Sequence, residues 1–348
     1  METFWFIALT FMITMYVVLD GFDLGAGIIY LFVAKNDNER RTVLNSIGPY
    51  WDGNEVWLIA AGGILFFAFP KFYASSFSGF YLPLMVVLWL LIGRALGIEL
   101  RKHVDNSLWR SFWDVVFSLS SILLVIFFGA ALGNIITGVP VGKDGYFFEA
   151  FWTDFSVSPH TGVLDWFTVL MGIVALCTLC AHGANYIAMK TEGNLQTRSR
   201  KISFIMNWLV ILFSIIALLS FSYFKPSGWN NYLISPIGFI IPALVLISVA
   251  CMVIFRIKNN DTAAFLSSSL FIFSMLSSTA YSIYPKLLSS TINPDYNLTV
   301  FNSKTGDYAM NITLIWWIPG ILLVAGYFIF LFYKFRGKIH AESTHEGY

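Results

Sequence analysis

In the stretch PYWDGNEVWLIAAGGILFF, residues 49–67, Asp52 and Glu55 stand three apart at the head of an apolar run long enough to enter a bilayer. A second acidic pair, Asp20 and Asp23, falls late in the apolar run that opens the chain. An ionised carboxylate at mid-membrane costs about 2.5–3.5 kcal/mol even on the mildest insertion scale, so such groups are kept for paths, partners or cavities. The chemistry open to them is proton exchange. Residues at i and i+3 share a helix face, and each pair is expected to turn toward the protein interior or a wet cavity. Arg94, inside a third apolar run, is the natural counter-charge; Glu99 closes that run and Asp114 opens the next. Several carboxylates around one guanidinium cannot all be ionised, and coupled groups of that kind take up and release protons readily. The plainer alternatives are snorkelling, helix N-capping by Asp52 or Asp114, and pairing with Arg94 for assembly alone.

The elements that must position these groups follow from composition. Only 12% of the 348 residues are charged and 57% are hydrophobic. Soluble domains carry about 25% charged residues, so the chain reads as an all-α polytopic membrane protein. A spanning helix needs about 20 apolar residues. Nine runs qualify: 4–33, 47–69, 77–99, 112–137, 162–189, 202–224, 236–255, 262–284 and 309–333. No soluble insert separates them, so residues 1–348 are read as a single transmembrane domain. Within it, 1–137 is a four-helix bundle that carries the acidic cluster and 162–333 holds the remaining five helices. The opening segment lacks a basic region and a small-residue cleavage site, and is expected to be a retained helix.

Lysine and arginine set the orientation. One set of connections holds Lys35, Arg40, Arg41, Arg101, Lys102, Arg110, Lys190, Arg198, Arg200, Lys201, Arg256, Lys258, Lys334, Arg336 and Lys338. The opposite set holds only Lys71, Lys143, Lys225, Lys286 and Lys304. The bias places the N-terminus outside and the C-terminus in the cytoplasm. It also puts Asp20, Asp23, Asp52, Glu55, Arg94, Glu99 and Asp114, from four helices, at one depth in the cytoplasmic third of the membrane. The glycine pairs Gly21/Gly25, Gly93/Gly97 and Gly129/Gly133 predict close helix approach in the same half of the chain.

Other chemistries are excluded or demoted. A net charge of +1 argues against nucleic acid. Three cysteines, Cys177, Cys180 and Cys251, make no disulfide framework, and the CxxC pair has no further ligands nearby. There is no phosphate-binding loop, no dinucleotide fingerprint and no Ser/His/Asp set. Of five histidines only His182 lies in a span; His103, His160, His340 and His345 do not. A buried His182 is more often a hydrogen-bonded packing residue than a heme ligand, although ligation of one heme face is open to it. Redox chemistry therefore requires a partner that carries the cofactors.

The motifs DGFDLGAG (20–27), NDNERRTVLNSIGPYWDGNEVWLIAAGG (36–63), FSGFYLPL (77–84) and WRSFWD (109–114) resemble subunit II of the cytochrome bd quinol oxidases, with a weaker likeness at AHGANYIAMKTEG (181–193). The resemblance implies two four-helix bundles plus one peripheral helix in a bacterial inner membrane. It implies a partner, subunit I, that holds two b-type hemes and heme d, oxidises a quinol on the outer side and reduces O2 to water. Protons come from the cytoplasm without pumping. No cofactor is assigned to subunit II itself. Some relatives hold a structural quinone there, which does not transfer on the residues present; a small single-helix subunit is a further partner that the resemblance leaves open. By the resemblance, Asp52 of the WDGN motif belongs to a cytoplasmic proton route, with Asp20 and Asp23 as route or structural residues. Glu55 and His182 depart from some relatives, which carry glutamine and a non-titrating polar residue. The competing functional class is a proton-coupled secondary transporter, against which the confinement of the charges to one half of the chain and one membrane face weighs.

Overall fold

The opening run forms one helix, α1 (Glu2–Val33), whose 32 residues extend about 48 Å and so exceed the hydrocarbon thickness. The structure, a computed structural model, describes residues 1–157 and 162–339; His160, His340 and His345 fall outside them. The connection after α1 folds into a short helix, α2 (Asp37–Ile47), which the Asn36 side chain caps by accepting from the Glu39 amide. Then come α3 (Trp51–Ala68), α4 (Pro70–Gly79), α5 (Tyr81–Leu100) and α6 (Ser107–Thr137). The second half holds α7 (Trp166–Lys190), α8 (Gly193–Phe224), a single turn α9 (Asn230–Ile234), α10 (Ile240–Ile257), α11 (Asp261–Ile283) and α12 (Asp307–Lys334).

Eight of these helices are long and apolar enough to cross a membrane singly, and the α3–α4 pair, bent by 118° at Phe69–Pro70, reaches that length and apolarity only when its two helices are taken together. The second apolar run, 47–69, is α3, as expected from the sequence, and α4 is a further helix between it and α5 that the sequence reading did not place. Pro70 opens α4 because its ring fits the first helical position but cannot continue α3. Helices α1, α3, α5 and α6 pack as one group and α7, α8, α10 and α11 as another. Helices α1 and α7 form much of the seam between them. Helix α12 is mostly exposed and leans on the first group through Phe328 against Trp57 and Phe332 stacked on Tyr50. The two groups and the peripheral helix are the architecture expected of the sequence.

Each glycine pair lies at a helix contact. Gly93 and Gly97 meet Ser120 and Phe117 of α6, and Gly129 and Gly133 meet Met171 and Thr168 of α7. The closest approach is α1 on α7 at Gly25 and Gly183, where a Cβ on either residue would overlap the other helix's backbone. The Lys- and Arg-rich connections gather at one end: Lys190 of α7 donates to the Phe335 carbonyl past α12 (2.6 Å), and Tyr186 donates to the Ser46 carbonyl of α2 (2.6 Å). At the opposite end a two-stranded hairpin, β1 (Lys286–Leu288) and β2 (Leu298–Thr299), packs beside Val139, and Lys304 pairs with Glu2 and Asp307.

Candidate functional site

Arg94 is the centre of the acidic site. It is fully buried, on the α5 face turned toward α1 and α3, and its Nη1 donates to both carboxylate oxygens of Asp20 at 2.8 Å. Its Nη2 donates to Glu55 of α3, whose side chain keeps 27% of its exposure while Asp20 has none. One turn along α1, Asp23 accepts from the Asn54 amide at 2.7 Å, and the same amide reaches the Leu19 carbonyl at 3.1 Å. Asn54 therefore tethers α3 to α1 beside the carboxylates. Asp23 Oδ1, Asn54 Oδ1 and Arg94 Nε are buried with no hydrogen-bond partner. Buried polar atoms of this kind are where internal water is held.

Asp52 lies elsewhere on α3. It is exposed, on a stripe continued by the exposed Val56, Ile59 and Phe66, and no ion pair or hydrogen bond engages it among the described residues. It does not cap α3, which begins at Tyr50 without a side-chain cap. Along α3, then, an exposed carboxylate at 52 is followed by a half-buried one at 55, which meets the fully buried Asp20–Arg94 pair.

Glu99 and Asp114 do not join this site. Glu99 pairs with Lys102 on the surface at 3.3 Å. Asp114 is 1% exposed and accepts from Tyr30 of α1 (2.5 Å), Arg40 of α2 (2.8 Å) and Arg101 at the end of α5 (2.6 Å). Arg101 continues to Asp37 of α2 (2.6 Å), which also holds Arg41 (2.9 Å) and Arg110 (3.1 Å). The seven charges expected at one depth thus divide among an inner cluster, a separate ion network, a surface pair and the exposed Asp52, which stands apart from all three. Partial burial opposes ionisation of Asp37, but the hydrogen bond and charge of Arg101, with Arg41 and Arg110, outweigh it and hold its carboxyl below the usual range. Asp114 caps nothing; Asn106 caps α6.

The sequence reading missed Asn54, Tyr30 and Asp37. Asn54 carried a signal, being an amide inside an apolar run between two acids. Tyr30 and Asp37 carried none, since their partners come from other helices.

His182 is fully buried, with Nδ1 at 2.8 Å from Ser268 Oγ and Nε2 at 2.9 Å from the Val18 carbonyl. Both ring nitrogens are committed within the protein, so the ring does not fit a heme iron as it stands. Among the described residues no group of three or more His, Cys, Asp or Glu could hold a metal ion.

Comparison with known proteins agrees with this arrangement of helices and motifs. The family described as cytochrome bd terminal oxidase subunit II matches residues 1–335. The cytochrome bd ubiquinol oxidase subunit 2 of Bacillus subtilis is 32% identical, with 97% of each chain covered. The cytochrome bd-I ubiquinol oxidase subunit 2 of Escherichia coli K12 is 28% identical over 99% of this chain and 97% of that one. In the solved bd oxidase of Geobacillus thermodenitrificans, a chain of the same fold superposes with a TM-score of 0.74 at 17% identity, covering 96% of this chain and 98% of that one. A multi-pass protein of the bacterial inner membrane, the chain belongs to the cytochrome bd terminal oxidase subunit II family.

Proposed function

We propose that this chain is the heme-free subunit of a bd-type complex that oxidises a quinol and reduces O2 to water, and that it admits the chemical protons from the cytoplasm through Asp52, Glu55, Asp20 and Asp23. Subunit I supplies the hemes; this chain supports its assembly and leads protons toward it. Electrons and protons approach from opposite sides, so turnover is electrogenic without a pump. The observation that carries the reading is the graded burial from Asp52 through Glu55 to Asp20, ending beside orphaned polar atoms of Asp23, Asn54 and Arg94. Three carboxylates face one guanidinium in a low-dielectric interior. Such a set keeps at least one proton and can hand it on.

Each residue then has a task. Asp52 collects protons at the exposed rim. Glu55 swings between the rim and Arg94, being the half-exposed member. Arg94 holds Asp20 in place and limits how many carboxylates ionise together. Asp23, tethered by Asn54, holds the innermost position. The apolar stripe on α3 behind Asp52 is the face on which a second membrane subunit packs.

The test uses the intact complex. Asp52→Asn is expected to leave heme content and assembly unchanged while O2 consumption falls roughly tenfold, since a positioned proton carrier is lost. Normal turnover together with normal charge translocation in that variant would remove Asp52 from the route.

A further inference from the structure

One buried titratable side chain has no part in that path. His182 lies where α7 crosses α1, beside the Gly25–Gly183 contact that brings the two backbones together. Its ring stacks on Phe265 of α11, with centroids 4.9 Å apart and planes 11° apart. Nε2–H donates to the Val18 carbonyl, and Nδ1 faces the Ser268 hydroxyl, whose single hydrogen is shared between that nitrogen and the Phe265 carbonyl. The next carbonyl of α1, Leu19, takes the amide of Asn54 from α3. Two successive carbonyls of α1 are thus gripped by side chains from two other helices, immediately before Asp20.

Behind His182 the grip is anchored. Asn185 donates to Ser268 Oγ (3.4 Å), and its Oδ1 accepts from Ser203 (2.6 Å) and Arg256 (3.4 Å). Arg256 reaches Asp261 at 2.5 Å, and Asp261 also holds Arg200 at 2.5 Å. This ladder joins α7, α8, α10 and α11 to α1. An amide and a backbone carbonyl do not pass protons, so the ladder holds rather than conducts.

We propose that His182 is a positioning residue: by donating to the Val18 carbonyl it fixes the rotation of α1, and so aims Asp20 at Arg94 and Asp23 at Asn54. Successive residues of a helix are turned by about 100°, so a small rotation at Val18 carries both carboxylates off their partners. For its effect on turnover the proposal rests on the proton-entry reading; for its effect on the carboxylates it does not.

The test compares His182→Leu with His182→Gln in the intact two-subunit complex. Glutamine can still donate to Val18 and accept from Ser268, whereas leucine can do neither. The readouts are the infrared carboxyl bands that disappear in Asp20→Asn and Asp23→Asn, and the pH profile of O2 consumption. His182→Leu is expected to shift those bands, displace the pH profile and slow turnover about tenfold at unchanged heme content, as misplacement on the ångström scale does. His182→Gln restores all three. If the leucine variant fails to assemble, His182→Asn carries the test, because its amide is too short to span Ser268 and Val18. Wild-type bands in whichever of the two assembles would overturn the proposal. Shifted bands with unchanged turnover, in a complex where Asp52→Asn is also silent, would uphold the positioning and defeat proton entry instead.

Discussion

Two charged clusters share α1 and α5, and they are built from opposite inventories. The inner one sets Asp20, Asp23 and Glu55 against Arg94 alone. The network at the Lys- and Arg-rich end sets Asp37 and Asp114 against Arg40, Arg41, Arg101 and Arg110. Where guanidiniums outnumber carboxylates, every acid is bonded to at least two of them, and the network clips α1, α2, α5 and α6 together. Where buried carboxylates outnumber the guanidinium, the set is short of positive charge, a deficit that bound protons can make good. The difference teaches that acidic residues at similar depth are not interchangeable: the count of cations around each decides whether it staples or titrates.

The most damaging way to break the inner cluster is to remove its one cation. Arg94→Met leaves Asp20 buried beside Glu55 with no opposite charge, a loss of about 3–5 kcal/mol for a broken buried pair. The purified complex should unfold at lower temperature, and Asp20→Asn in the same chain should recover part of the loss. An Arg94→Met complex as stable as wild type would show that Asp20 carries no charge to be paired.

A paired comparison sharpens the contrast. If Glu55 carries protons as proposed, Glu55→Gln should slow O2 consumption about tenfold while assembly and melting stay near wild type, because the glutamine amide still meets Arg94. Asp114→Asn should do the reverse. It leaves Arg40, Arg101 and Tyr30 without their shared acceptor and costs about 2–3 kcal/mol in hydrogen bonds to a charged group. Turnover per assembled complex should be unchanged. If Asp114→Asn slows turnover without loosening the fold, the division into staple and route is wrong.

How much of this was legible in the sequence follows from what a sequence encodes. Span length and apolarity are local, so eight helices stand where the hydropathy placed them. Helix α3 also stands within its run, but Asp52, Asn54 and Glu55 dilute its apolarity, and Pro70 starts a further helix, α4, that hydropathy did not place. Depth along a helix was also legible, which is why Arg94 could be named as the partner of the Asp20 and Glu55 groups. Azimuth was not. Arg94 and Glu99 are five residues apart on α5, about 140° around its axis, so they cannot serve one cluster. Nor do i,i+3 neighbours have equal surroundings: Glu55 turns to Arg94, while Asp52 shares its stripe with Val56 and Ile59. Asp37 and Arg101 read as ordinary loop charges until α2 folds against the end of α5.

The smallest expected effect tests the saturated network from the acid side. Asp37 titrates below the usual carboxylate range in the folded protein, because the Arg101, Arg41 and Arg110 contacts outweigh its partial burial. A carboxylate lowered on folding stabilises the native state fully above its unfolded pKa, about 4, and loses that contribution as pH falls through the folded value. The unfolding midpoint of the wild-type complex should therefore exceed that of Asp37→Asn by a modest, constant margin above about pH 4, and the two should converge in more acid solution. High salt should shrink the margin, since Asp37 keeps 35% of its side-chain exposure and screening reaches it. A margin that instead widened in acid would mean that Asp37 is protonated in the native state. The network would then share the inner cluster's shortage of charge, and the contrast between the two would fail.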